Sequence, residues 1–398
     1  METLGIYVQV PFCASKCTFC NFSSKVSRAE VLTGYCRALE QEIGCLRARL
    51  EAAGVVRHLF ELSVDTLYFG GGTPPIIGIQ RLERILQALQ GRFEFADCVE
   101  FTLEATPGSA DAEFLERALA LGVSRLSIGA QSFDDRELRS VGRLHSAVDT
   151  RALVEQARRA GFRNISLDLI GGLPYQTAES WQASLEATVA LQPQHISVYL
   201  FEVDEKSRLG GEVLRHGLRY HAEAVPDDDF MATAYETARQ VLLAHGYLQY
   251  EISNFALPGY VSHHNRKYWR LEPYVGLGAG AHSFDGEHRW ANESVAEDYS
   301  AKLARGDSPI DELRRLTPAE QVEEFFFLGL RQREGVRVGQ ASEPWGSAAL
   351  APFEKVIDEL VERGLLEKVD DRVPLTDHAL LVSNEVFQEF LAAKAETV

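Results

Sequence analysis

Six apolar runs punctuate the first half of the chain, each ending in glycine, proline or an acidic residue before a helical periodicity begins. They read GIYVQVPF, DTLYFGGGTPP, VEFTLEATPG, SRLSIGAQSF, NISLDLIGGLP and HISVYLFEV. Short runs rich in Val, Ile, Leu, Phe and Tyr predict strands. Between them, RAEVLTGYCRALEQEIGCLRARL, RLERILQALQGRF, AEFLERALALGV, DTRALVEQARRAGF and AESWQASLEATVALQ repeat apolar residues at the spacing of an amphipathic helix. Six such units in succession predict an α/β fold, a parallel sheet covered by helices and wound as a partial (β/α)6 barrel, with a doubly wound sheet as the other arrangement. In a barrel the functional residues gather at the C-terminal ends of strands. Those ends carry Cys13, Gly70 to Thr73, Glu104, Gln131, Asp168 and Glu202.

The second half changes character twice. After the sixth strand come the helical DDFMATAYETARQVLLAHG, then YLQYEISNFALPG and the glycine-rich YVGLGAGAHSF, which read as an extension of the barrel over residues 226–315, following a barrel over 1–225. From Leu316 the pattern is helices followed by a short β wing, a small winged-helix-like α+β domain over 316–398. Winged helices often bind DNA, but sixteen acidic residues stand against eight basic ones from Leu316 onward, which argues against phosphate contacts.

Composition narrows the picture further. A net charge of −18 over 398 residues excludes a nucleic-acid backbone as the main partner, while leaving room for a small anion in a local basic pocket. No apolar run reaches the length of a membrane span, which leaves only transient membrane contact. METLGIYVQV has no basic start and reads as a strand rather than a signal peptide. Three of the six cysteines crowd into residues 13–20, which suits metal binding in a reducing cytoplasm better than disulfide stapling.

The spacing Cys13-x3-Cys17-x2-Cys20 follows directly on the first strand, and no second cysteine pair completes a tetrahedron for zinc. Three thiolates can hold three irons of a [4Fe–4S] cluster and leave the fourth iron open. That iron could chelate the amino and carboxylate groups of S-adenosylmethionine (SAM) and pass an electron to its sulfonium. A zinc ion with a distant His or Cys as fourth ligand is the other reading. Cys36, Cys45 and Cys98 fall in helical or strand-edge patterns and read as small packing residues. The glycines of YFGGGTPP let a ligand approach the backbone and offer it N–H groups. Glu104, Gln131, Arg143 and Asp168, at or just beyond strand ends, predict a pocket with a guanidinium for a carboxylate and acids for amino or ribose hydroxyl groups. Taken singly, each could equally be a solvated loop residue or a cap.

YVQVPFCASKCTFCNF, GGGTPP, TLEATPG, RLSIGAQSFDDRELRSVGRLH, DLIGGLPYQT, YEISNFALPG, HHNRKYW and GLGAGAHSF, with EFFFLGLR and LLVSNEVFQEFL near the end, span nearly the whole chain. Together they resemble the oxygen-independent coproporphyrinogen III oxidase-like branch of the radical SAM superfamily. The resemblance implies a radical SAM barrel in which Cys13, Cys17 and Cys20 are the cluster ligands and Tyr7 and Phe19 are aromatic residues beside SAM. It also implies that Gly71, Gly72 and Thr73 meet the methionine amino group, and that Glu104, Gln131, Arg143 and Asp168 make the remaining SAM contacts, Arg143 to the carboxylate. Two positions depart from the family pattern: Gln9 stands where His is frequent, and Asn21 where Asp is frequent. Both keep hydrogen-bonding capacity, so a tuned cluster potential is expected rather than a lost cluster.

Within that branch, the oxidases usually carry another cysteine two residues after the third, where this chain has Phe22, and a sizeable arm before the first strand, where it has only Met1 to Gly5. Residues 264–269, HNRKYW, resemble instead the HNxxYW heme signature of the family's chaperones. The resemblance therefore implies a heme chaperone that passes heme to apo-haemoproteins, with His264 as heme ligand, Tyr268 and Trp269 against the porphyrin face, and a small electron-transfer protein as reductant. Without the other motifs, His264 reads rather as a loop cap and Trp269 as a core residue; a coproporphyrinogen III oxidase and a radical SAM C-methyltransferase are the alternatives in function.

Overall fold

The computed structural model describes residues 2–55 and 59–392, so Met1 and residues 393–398 of the expected first and last segments lie outside the described residues. Six strands, β1 (Thr3–Val10), β2 (Ser63–Gly71), β3 (Phe95–Ala105), β4 (Arg125–Gln131), β5 (Ile165–Gly171) and β6 (His195–Leu200), pair in chain order, all parallel. The connections carry α1 (Ala29–Ala52), α2 (Ile79–Gln90), α3 (Ala112–Ala120), α4 (Asp135–Ser140), α5 (Ala147–Ala160) and α6 (Ala178–Ala190). This is the partial (β/α)6 radical SAM barrel; the doubly wound alternative falls, because strand order follows chain order without reversal. Local chemistry sets the helix ends: Ser146 with Asp149 forms a capping box on α5, and Gly161, at φ 112°, closes it.

After β6 come α7 (Arg208–Leu214) and α8 (Asp228–Ala244), then β7 (Leu248–Gln249), β8 (Asn254–Ala256), α9 (His263–Trp269), β9 (Tyr274–Leu277), β10 (His282–Phe284), β11 (His288–Asn292), α10 (Ala296–Ala304) and β12 (Ile310–Arg315). These strands extend the sheet at both edges: β8 runs antiparallel beside β6, β9 runs parallel beside β1, and β10 to β12 continue antiparallel, giving twelve strands. Strands of two to six residues leave too little periodicity to be read as partners of two distant edges.

The last part holds α11 (Pro318–Gly329), β13 (Val336–Arg337), α12 (Val338–Trp345), α13 (Ser347–Glu362), β14 (Arg372–Val373) and α14 (Ser383–Ala392), with β13 and β14 as an antiparallel ribbon. Its own core stacks Phe326 on Phe353 and Phe390, at ring separations of 5.4 and 5.0 Å. No helix among the described residues is long and apolar enough to cross a membrane.

Side chains alternate along every barrel strand, and the alternation decides where chemistry can occur. Ile6, Val8, Leu67, Phe69, Phe101, Leu103, Leu126, Ile128 and Leu167 face outward into the core under the helices. The inward positions are polar: Tyr7 and Gln9, Thr66 and Tyr68, Glu100 and Glu104, Arg125 and Ser127, Ser166 and Asp168, His195 and Ser197. The barrel is thus lined with hydrogen-bonding groups rather than filled with branched apolar side chains.

Candidate functional site

At the C-terminal ends of the strands lies a cavity of about 840 Å³. Of the expected site residues, Cys13, Cys17, Phe19, Cys20, Gly71, Gly72, Thr73, Glu104, Gln131, Arg143 and Asp168 all line it. The β1 strand delivers the cysteine loop, whose Cys13 N–H and Thr18 N–H donate to the carbonyls of Lys25 and Val141. The Asn21 amide donates to Asp204 over 2.8 Å, tying this loop to the segment before α7. That is what the Asn at this position does here. Gln9 accepts from the Tyr7 hydroxyl at 2.8 Å and its side chain lies against Gly71.

The glycine turn is a cradle that side chains would fill. Gly71 has φ 96°, and a Cβ on Gly72 would come within 2.5 Å of the Phe12 carbonyl oxygen. Beside the turn, the Glu104 carboxylate accepts from the Tyr68 hydroxyl at 2.8 Å and from the Gly71 N–H at 3.0 Å. Burial nonetheless pushes the Glu104 carboxyl up to about 7, with the charge of Asp168 adding to the rise. Burial likewise raises the carboxyl of Asp168, which accepts from Ser127 at 3.4 Å. A register irregularity after Gly129 ends β4 and leaves Gln131 at φ 68°, a left-handed conformation uncommon outside glycine, on the cavity wall.

Arg143 reaches into the same space. Its guanidinium donates to the Gly129 carbonyl and stands 3.6 Å from the Cys17 sulfur, while its Nε, buried, has no acceptor. An orphaned guanidinium N–H at a cavity wall is suited to an anionic ligand group such as a carboxylate. Among the described residues no three His, Cys, Asp or Glu side chains converge on a point that a single ion could occupy. A [4Fe–4S] cluster takes one thiolate per iron and so spreads its ligands around a larger body. Three thiols at one mouth, a glycine cradle and a guanidinium with an unpartnered Nε fit that cluster with SAM better than a lone zinc ion.

Tyr7 and His264 are not brought to the cavity. Tyr7 lies deeper in the barrel, its ring 5.7 Å from Tyr68 and 6.2 Å from His264. His264 lies at the opposite end: α9 packs on the N-terminal halves of β1 and β2, where a Cβ on Gly5 would touch the Lys267 side chain at 2.9 Å. His264 is 1 % exposed, its Nδ1 paired with the Thr66 hydroxyl at 2.9 Å and its Nε2 with the Tyr268 hydroxyl at 2.8 Å. Burial and the nearby Lys267 cation push its pKa down to about 3, so the imidazole is neutral. In this conformation His264, expected as a heme ligand, is a hydrogen-bonded plug at the closed end. The short helix is held there by Glu100, which accepts from the N–H groups of His263 and His264 at 2.9 Å each, and by the buried Lys267, paired with Asp65 at 2.9 Å and Glu272 at 3.1 Å. The C-terminal domain grips its other side, with Arg331 4.5 Å from the Trp269 ring and Glu334 paired to Arg266 and Arg270.

The strand-end reading missed the layer beneath the cavity floor, namely Tyr68, Glu100, Arg125 and His195, and at the wall it missed His145, whose Nε2 lies 3.1 Å from the Ala130 carbonyl and whose pKa burial lowers to about 4. The signal was present as polar residues at every second position of otherwise apolar strands.

Comparison with known proteins identifies the family and the fold. The radical SAM superfamily profile matches residues 7–187, and that of the HemN C-terminal domain matches residues 316–382. The chain is 35% identical to heme chaperone HemW of Bacillus subtilis, over 97% of its own length and 98% of the relative's. It is 29% identical to the Escherichia coli protein of the same name, over 98% and 99%. The mouse mitochondrial radical S-adenosyl methionine domain-containing protein 1 is 33% identical, over 91% and 81%. Among solved structures, coproporphyrinogen III oxidase (HemN) of Escherichia coli aligns with a TM-score of 0.82 at 23% identity, covering 98% of this chain and 90% of that one, a likeness that speaks for the fold alone.

Proposed function

This chain belongs to the HemW family of the radical SAM superfamily, and we propose that it is a heme chaperone that binds heme and passes it to apo-haemoproteins. The observation that carries the reading is the cavity on which three thiols, the Gly71–Thr73 turn, Arg143 and the half-buried carboxylates of Glu104 and Asp168 converge. In this reading Cys13, Cys17 and Cys20 hold a [4Fe–4S] cluster, which when bound supplies an electron to the sulfonium of SAM. The chain's own residues do the rest. Arg143 takes the SAM carboxylate, Glu104 and the Gly71–Thr73 backbone take its ammonium, Asp168 takes a hydroxyl, and Phe19 with Ile170 and Phe201 keeps water from the wall.

Heme engages the other end. His264 is a neutral imidazole, the form that ligates heme iron, and its Nε2 is bound only to a tyrosine hydroxyl, a partner that iron can replace. Ligation therefore requires α9 to move from its seat. The partners that follow are heme, apo-haemoproteins as acceptors and a small electron-transfer protein as reductant, in the cytoplasm.

The test is full-length, anaerobically reconstituted protein incubated separately with heme and with coproporphyrinogen III. A Soret band that shifts or weakens in His264→Ala but persists in Cys13→Ala, with the porphyrinogen unconverted in the presence of SAM and reductant, is the expected result. Decarboxylation at an enzymatic rate with a heme spectrum indifferent to His264 would restore the oxidase, and consumption of SAM as a methyl donor would restore the methyltransferase.

A further inference from the structure

We propose that the outward face of α9 is an entry site for heme, in which His263 offers an accessible imidazole to the iron and Arg266 and Arg270 take a propionate in place of the Glu334 carboxylate they now hold. Docking there unlatches α9 from the C-terminal domain. The identity of the ligand rests on the heme reading above, whereas the carboxylate seat does not.

The short helix has two unlike faces. His264 and Tyr268, four residues apart, turn toward the barrel and bond each other. His263, Arg266 and Arg270 follow the i, i+3, i+7 spacing that gathers side chains on one face of a helix, here the other one. His263 and Arg270 are exposed, and Arg266 is partly so. Glu100 engages the backbone N–H of His263, while the imidazole itself has no hydrogen-bond partner among the described residues. Its ring is thus open to a metal from solvent, whereas both nitrogens of His264 are taken.

A carboxylate already occupies this face. Glu334 Oε1 accepts from the Arg266 guanidinium at 3.1 Å and from that of Arg270 at 3.0 Å, while Arg372 stands 3.4 Å from the other oxygen. Two guanidiniums one helical turn apart and meeting on one oxygen make a carboxylate seat. The side chains of Arg266, Arg270 and Glu334 are 24 to 40 % exposed, and ion pairs in contact with water are weak, so a second carboxylate can exchange with Glu334. Heme carries its propionates on one edge and its iron at the centre, which suits a carboxylate seat and an imidazole on the same face. After the exchange Glu334 retains Arg372, and α9 is left to the Arg331 stack on Trp269 and the Arg270 bond to Gln332. The helix whose movement frees His264 is thereby loosened, so entry at His263 precedes ligation by His264.

Stopped-flow absorbance of the full-length reconstituted protein mixed with iron(III) protoporphyrin IX tests this. Two phases are expected: a capture whose rate rises with heme concentration, then a slower, concentration-independent change as His264 becomes a ligand. His263→Ala, and separately the pair Arg266→Gln with Arg270→Gln, should slow capture by about tenfold, the scale of one lost polar contact, while the end-point band keeps its dependence on His264. The dimethyl ester of the same heme keeps the iron and lacks the carboxylates. The wild type should capture it about tenfold more slowly than the free acid, and the double arginine variant should take up both alike. Glu334→Gln should quicken the second phase. Capture indifferent to His263→Ala, or ester and acid taken up alike by the wild type, overturns the entry site and leaves the His264 reading standing. Heme that gives no band with any form of the chain, the wild type included, removes the heme reading and the entry site with it.

Discussion

The two ends of this barrel are built from one set of strands and behave as opposites. At the C-terminal ends the inward residues open onto a cavity of about 840 Å³, whose walls hold an unpartnered Arg143 Nε and a Gln131 at φ 68°. At the other end α9 fills the opening, both nitrogens of His264 are engaged, and Lys267 is paired twice. Unspent hydrogen-bonding capacity and backbone strain mark an end prepared for ligands, whereas completed pairs mark an end prepared for stability. The histidine of the heme signature is thus fully engaged, although the buried Trp269 indole N–H on the same helix has no acceptor, and freeing His264 has an energetic cost that the open end lacks.

The sharpest way to break this comparison is to remove thiols. Cys13→Ala, Cys17→Ala and Cys20→Ala should each abolish nearly all cluster iron and acid-labile sulfide after anaerobic reconstitution, while Cys36→Ala, Cys45→Ala and Cys98→Ala leave it intact. Survival of the cluster in all three loop variants would move the site elsewhere.

At the closed end the largest effect belongs to stability. Lys267→Ala empties the space of a buried side chain and takes the shared cation from the part-exposed Asp65 and Glu272, and should lower the unfolding free energy by about 3 kcal/mol. Denaturant unfolding measures it. A loss within the scale of a surface ion pair would show that the end is not sealed.

Arg143→Ala should weaken SAM binding by about one to two orders of magnitude, the loss of a charge-assisted hydrogen bond. Calorimetry reads this directly, and unchanged affinity would remove Arg143 as the carboxylate partner.

The smallest effect is a slope. The Glu104 carboxyl, raised from 4.5 to about 7, is largely protonated in the folded protein at pH 6 and ionises as the pH rises through 7. SAM affinity should therefore climb about tenfold from pH 6 to 8, and Glu104→Gln should flatten the climb. Stability runs the other way: the folded carboxyl holds its proton more tightly than the unfolded one, so its contribution is fully present below 4.5 and is lost as the pH rises through 7. A ligand-free midpoint that rises across this window would contradict the burial of Glu104.

The chain order of strands and helices, the cysteine loop and the ring at the strand ends were legible because each is a local signal. A period of two or of 3.6 residues, a glycine run closing a strand and a Cys spacing need no distant partner to be recognised. That is why the residues read from strand ends meet in one cavity.

Other features depend on contacts far apart in sequence. The place of α9 was decided by Glu100 and Thr66 gripping a helix 164 and 198 residues later, and the polar layer around Arg125 exists only because parallel pairing aligns Tyr68, Thr102 and Arg125 across three strands. By itself, HNRKYW specifies a short helix carrying a histidine; whether that histidine faces a ligand or fills the barrel depends on which strand ends remain uncovered. Here the β8 and β9 edges bring α9 to the N-terminal end, where burial neutralises the imidazole and two hydroxyls saturate it. Sequence therefore determined which groups this protein possesses. Tertiary structure decided which of them are satisfied and which remain free, because hydrogen-bond satisfaction is set by neighbours in space rather than along the chain.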